Sequence, residues 1–171
     1  MSYGIDRRDL IKITAGAAIA AKAATTESKP RFFTSDEFAL VDELAEMIIP
    51  ADDHSPGARA ANVAAYIDAT VADAFEDKRR TSWRSGLELV EKLSHEQSGT
   101  RFLRSTPEQR LRVLTAMATN EDNPKTPAEQ FFQQLKAATV KGYYSSSIGI
   151  HQDMEYKGNT ILQEFVGYEV K

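Results

Sequence analysis

Residues 63–75 read VAAYIDATVADAF, and apolar side chains recur in this stretch every three or four positions. An α-helix turns once in about 3.6 residues, so this spacing gathers the side chains on one helical face. Such a face must be buried against another element of the chain. The stretch therefore predicts a core helix whose buried positions are Val63, Tyr66, Ile67, Thr70, Val71, Ala74 and Phe75.

Capping patterns predict three further helices. Thr34, Thr106 and Thr126 are each followed three positions later by Glu or Gln, so hydroxyl and side-chain oxygens can satisfy the free amides of a first helical turn. The apolar positions that follow the three caps are Phe38, Val41, Leu44, Ala45 and Ile48; Leu111, Leu114 and Ala118; and Phe131, Phe132, Leu135, Ala138 and Thr139. Another helix, ending before Gly99, is outlined by Trp83, Leu87, Val90 and Leu93.

The fold expected from these segments is all-α, because no stretch alternates apolar and polar residues as a strand does. About five helices would form a small bundle within a single domain, residues 31–171. The final part of the chain, residues 142–168, is rich in tyrosine and glycine and predicts an irregular segment docked on the bundle. Its aromatic rings could pack in the core or form a contact surface. We assign a partner interface to Tyr143, Tyr144, Ile148, Tyr156 and Phe165.

Residues 1–30 have the three parts of an export signal. Arg7 and Arg8 precede Lys12, an Ala/Gly-rich stretch follows, and small residues surround a cleavage point expected after Ala23. The pattern resembles a twin-arginine signal peptide with its linker, which predicts a periplasmic protein delivered by the twin-arginine translocase. The apolar stretch is shorter than the roughly 20 residues that span a bilayer. An ordinary amphipathic helix with a chance arginine pair is the alternative.

Composition excludes several classes of function. The net charge of the 171 residues is −4; residues 1–30 carry +2, which leaves −6 for the rest, so a nucleic-acid partner is not expected. Without cysteine the chain cannot hold an iron–sulfur cluster or attach haem covalently. Its glycines do not form a dinucleotide-binding pattern. We therefore expect no catalytic, cofactor or metal residues in this chain.

The loop Asp52-Asp53-His54 is the best candidate for chemistry in the chain. Three polar groups between Pro50 and Pro56 could bind a cation or transfer protons, but Asp and Pro-Gly are also turn formers. The turn is the favoured interpretation. A self-sufficient periplasmic enzyme or metal-binding protein that uses this loop remains the alternative function, and a small helical ligand-binding module is a third.

Three segments resemble the gluconate 2-dehydrogenase subunit 3 family. They are residues 43–58, with the string Ile48-Ile49-Pro50-Ala51-Asp52-Asp53; residues 63–68; and residues 142–159, with Tyr143-Tyr144. The resemblance implies a helical small subunit that stabilises and escorts a flavin-dependent sugar or polyol dehydrogenase of the glucose-methanol-choline class. FAD would then lie in that partner, and a cytochrome c subunit would accept the electrons. Members often have Gly-Cys near the end, where this chain has Gly167-Tyr168, so a disulfide to the partner is in doubt.

Overall fold

The structure is a computed structural model that describes residues 29–156 and 158. Within these residues the chain forms helices and no strand. The helices are α1 (Ser35–Ile48), α2 (Gly57–Ala60), α3 (Val63–Ala72), α4 (Asp77–Ser98), α5 (Pro107–Ala118) and α6 (Pro127–Tyr144), with a 3₁₀ turn at Phe102–Arg104 and a π-helix at Gly149–Asp153. Five of them have ten residues or more. The predicted all-α bundle is confirmed.

All three predicted capping boxes are present. The hydroxyls of Thr34, Thr106 and Thr126 accept from the amides of Glu37, Gln109 and Glu129, which bond back to the cap amides. The predicted end of α4 is also confirmed, since Gly99 adopts the left-handed conformation there with φ of 71°.

The core is centred on α6, which packs against α1, α3, α4 and α5. Trp83 of α4 lies edge-on to Phe131 of α6, with 5.5 Å between the ring centroids. Gly86, one turn further along α4, lets Phe131 approach, because a Cβ at Gly86 would lie 2.0 Å from the phenylalanine ring. The largest fully buried side chains include Trp83, Tyr143, Phe102, Leu44 and Ile67.

Two predicted apolar stripes need correction. Helix α3 ends at Ala72, and Phe75 beyond it is fully exposed rather than buried. The face that α3 buries includes Asp68, whose carboxylate is satisfied by backbone amides. Leu111 of α5 is also exposed, because that helix turns Val113 and Met117 toward the core.

The irregular segment also begins later than the sequence predicted. Gly142, Tyr143 and Tyr144 are the last residues of α6, so the helix continues two residues past the glycine. Gly142 is needed for packing: a Cβ there would lie 2.8 Å from the Tyr66 ring of α3. The chain leaves regular α-helix only after Tyr144.

Candidate functional site

The loop after α1 is a compact turn. Asp52 Oδ1 accepts from the amides of His54 at 2.9 Å and Ser55 at 2.6 Å, and these bonds lower the pKa of the Asp52 carboxyl. The Asp52 amide donates to the Ser55 carbonyl at 2.8 Å. The turn interpretation is confirmed. Among residues 29–156 and 158, no three histidine or acidic side chains are grouped as metal ligands would be.

The loop is joined to the end of α6. The Ser55 hydroxyl and the Tyr143 hydroxyl form a buried hydrogen bond, across 88 positions of sequence. The ring of Tyr66 lies against Gly142 nearby. Three distant stretches of sequence, around residues 55, 66 and 143, therefore meet in one joint. Its hydroxyls bond to each other, so the joint holds the fold together.

The predicted interface residues separate into three groups. Tyr143 is fully buried within the chain, so it presents no surface to a partner; for this residue the interface assignment is wrong and core packing is right. Ile148 is half-buried against the core, and Tyr144 and Tyr156 are 41% and 48% exposed. Phe165 lies outside the described residues, as do Arg7, Arg8 and Lys12.

Exposed apolar side chains are concentrated toward the C-terminal end of α6 and the segment after it. We call Val140, Tyr144, Met154 and Tyr156 the C-terminal patch; their exposed fractions are 38%, 41%, 50% and 48%. Val140 and Tyr144 are one helical turn apart. The Tyr144 hydroxyl bonds to the Asp153 carboxylate, which raises the pKa of Tyr144 and fastens the π-helix to α6. Large exposed apolar side chains of this kind are typical of contact surfaces.

Sequence reasoning missed a second anchoring point, at the start of the described chain. Asp68 of α3 is 3% exposed and accepts from the amides of Arg31 at 2.6 Å, Phe32 at 3.0 Å and Phe33 at 2.9 Å. The Arg31 guanidinium also pairs with Asp73, which lowers the pKa of the Asp73 carboxyl. We call this arrangement the Asp68 latch. The available signal was an aspartate between Ile67 and Val71 on an apolar helical face.

The described helices contain no segment both long and apolar enough to cross a membrane. The three histidines, His54, His95 and His151, are all exposed.

Comparison with known proteins gives the family. The sequence model of gluconate 2-dehydrogenase subunit 3 matches residues 35–160, which is most of the chain and nearly all of the described bundle. No curated protein and no solved structure matches the chain. The matched residues include the loop of Asp52, the joint of Ser55 with Tyr143, and the C-terminal patch. The chain therefore belongs to the gluconate 2-dehydrogenase subunit 3 family, the small accessory subunits of an oxidoreductase complex.

Proposed function

We propose that this chain is a non-catalytic subunit that stabilises a flavin-dependent sugar or polyol dehydrogenase and escorts it through twin-arginine export. The observation that carries the proposal is the C-terminal patch. Val140 and Tyr144 of the patch lie on α6, the helix at the centre of the core, and Met154 and Tyr156 lie in the segment after it. A partner that covers the α6 part of the patch binds a rigid part of the bundle. Covering exposed apolar surface stabilises a complex, and a rigid surface loses little conformational entropy on binding.

The division of labour follows from this role. The catalytic flavoprotein, of the glucose-methanol-choline class, holds FAD and oxidises the substrate, and a cytochrome c subunit takes up the electrons. This chain contributes the twin-arginine signal and a binding surface. The complex works in the periplasm, and any association with the membrane is made by its other subunits.

Deletion of this chain in its host tests the stabilising role. Dehydrogenase activity toward sugars and polyols, measured with a dye as electron acceptor, should fall strongly in both whole-cell and periplasmic extracts. Reintroduction of the wild-type chain should restore it. Activity that is unchanged by the deletion would show that the flavoprotein does not depend on this subunit.

The escort role is tested separately by the double variant Arg7→Lys/Arg8→Lys. Twin-arginine recognition depends on the arginine pair, so the flavoprotein should remain in the cytoplasm with its activity intact. Lys22→Arg is the matched control, since it changes a basic residue outside the pair, and it should be exported normally. A flavoprotein that reaches the periplasm with the double variant would contradict the escort role.

The patch itself is tested by Tyr144→Ser. We expect less flavoprotein to be retained by the tagged variant than by the wild type. Leu111→Ser is the control, because Leu111 is also exposed, at 58%, but lies on α5 away from the patch. Equal retention by both variants would remove the patch from the interface.

A further inference from the structure

A groove of about 510 Å³ lies between the start of α4 and the outer side of α6. Its lining includes Glu76, Lys78, Arg79, Trp83, Ala138 and Lys141. Four of them, Arg79, Trp83, Ala138 and Lys141, also line a smaller cavity of about 70 Å³ that reaches Tyr66 and Val71 of α3. The groove is therefore open to solvent on one side and deepens toward the core.

The cations of the groove have no acidic partner among the described residues. Lys78, Arg79 and Lys141 form no ion pair there, and Glu76 is the only carboxylate in the lining. Elsewhere among the described residues, Arg84, Arg104 and Arg112 also form no ion pair. Five other arginines are paired with carboxylates: Arg31, Arg59, Arg80, Arg101 and Arg110. The groove thus carries three positive charges against one negative charge, in a part of the sequence whose net charge is −6. Such local positive charge attracts an anionic ligand.

A buried donor in the same lining also has no acceptor. Trp83 is 1% exposed, and its indole Nε1 has no hydrogen-bond partner in the described structure. Buried N–H groups are nearly always bonded, because leaving one unbonded costs free energy. The N-terminus of α4 adds to this, since Glu76 at the cap position makes no side-chain hydrogen bond to the helix amides. Cations, the indole donor and the helix end all favour a negatively charged group.

The surroundings of the groove fit a protein better than a small anion. Phe75, next in sequence to Glu76, is fully exposed. Exposed aromatic and apolar side chains beside charged groups are typical of protein interfaces, where the apolar anchors exclude water from the charged contacts.

We propose that this groove docks an acidic segment of the dehydrogenase subunit. A carboxylate of that segment accepts from Arg79 and Lys141, which line the groove beside Trp83. The identity of the partner rests on the proposed function. The groove would orient the flavoprotein on the bundle, while the C-terminal patch supplies apolar contact area.

Binding of the flavoprotein subunit to the purified chain tests the docking. The variant Arg79→Gln/Lys141→Gln should bind at least about tenfold more weakly at low salt, because two charge-assisted hydrogen bonds are lost. Arg104→Gln/Lys125→Gln is the matched control: it removes two exposed cations that also form no ion pair in the described structure, and it should stay within about twofold of the wild type. Equal affinities for the groove variant and the wild type would overturn the docking while leaving the proposed function standing.

A second measurement uses the chain alone. Trp83 is the only tryptophan of the sequence, so its fluorescence reports on the groove. Titration with a hexaglutamate peptide should give a saturable change in emission that Arg79→Gln/Lys141→Gln abolishes. Inorganic phosphate at the same concentration should give none. Saturation by phosphate alone would show that the groove is a small-anion site rather than a docking groove. If the emission changes with neither probe, the proposal is overturned.

The two measurements distinguish failure of the docking proposal from failure of the proposed function. If the wild-type chain fails to bind any flavoprotein, the proposed function is wrong. The fluorescence titration then still decides whether the groove accepts an acidic peptide. If the flavoprotein binds the wild type and the groove variant with equal affinity, the docking proposal is wrong and the accessory role remains.

Discussion

The Asp68 latch and the groove beside Trp83 use polar groups in opposite ways. In the latch, one buried carboxylate accepts from three backbone amides, so donors and acceptor are matched within the chain. In the groove, three cations and an indole N–H have no acceptor among the described residues. Satisfied buried groups stabilise a fold, whereas unsatisfied donors are the groups that a ligand can satisfy. We therefore expect the latch residues to stabilise this subunit, and we propose that the groove residues bind a partner.

Asp68→Ala should give the largest loss of stability. It leaves three amides without their acceptor, and we expect the free energy of unfolding to fall by about 3 to 5 kcal/mol. Urea denaturation followed by circular dichroism measures this. Asp68→Asn keeps one acceptor oxygen and should lose less. A loss below about 1 kcal/mol for Asp68→Ala would show that the latch does not stabilise the fold.

Gly86→Ala should give the next largest loss, because it affects the packing under the groove. The added Cβ would meet the Phe131 ring, which also contacts Trp83, so we expect a cost of about 1 to 3 kcal/mol. Ser85→Ala, at the exposed neighbouring position of α4, is the control and should change little. The same denaturation measurement applies. A neutral Gly86→Ala variant would mean that this helix contact is loose.

The exposed part of the latch should respond to pH. Arg31 lowers the pKa of Asp73 below its ordinary value of 3.8, so this pair stabilises the fold when the pH is above 3.8. That contribution is lost as the pH falls through the lowered pKa. Wild type should therefore melt slightly above Asp73→Asn at pH 6, and the difference should vanish at acidic pH. A difference that is constant over the whole range would contradict this account.

The smallest effect on stability is expected for the groove variant Arg79→Gln/Lys141→Gln. These side chains make no ion pair in the described structure, so the free energy of unfolding should stay within about 0.5 kcal/mol of the wild type. The two variants should differ in opposite ways. Asp68→Ala should lose stability, whereas the groove variant should fold normally and bind the partner poorly. A destabilisation of 2 kcal/mol or more, on the order of a core substitution, would place these cations in the fold rather than in the interface.

Much of the fold could be predicted from local sequence. Capping boxes depend on residues three positions apart, so Thr34, Thr106 and Thr126 marked helix starts correctly. The end of a stripe was harder to place: Phe75 continued the apolar spacing, but the helix stops at Ala72. Periodicity shows which face would be buried if the helix continued, and it does not show where the helix ends.

The polar contacts could not be predicted in the same way. The bond of Ser55 to Tyr143 and the latch of Asp68 on Arg31 join residues far apart in the chain, so they depend on tertiary packing. Tyr143 shows the same dependence on tertiary packing. It was assigned to an interface because its segment is rich in tyrosine and glycine, but it is a core residue. To predict the groove, one must know which cations have no acidic side chain nearby in space. The sequence alone does not contain that information.

Purification of the tagged chain from its native host tests whether this chain serves a flavoprotein. The flavin absorbance per mole of chain should be measured and the co-purifying proteins identified. We expect a large flavoprotein in near-equal amount, with about one flavin per chain. A colourless chain that is purified alone would contradict it and return attention to the loop of Asp52, Asp53 and His54.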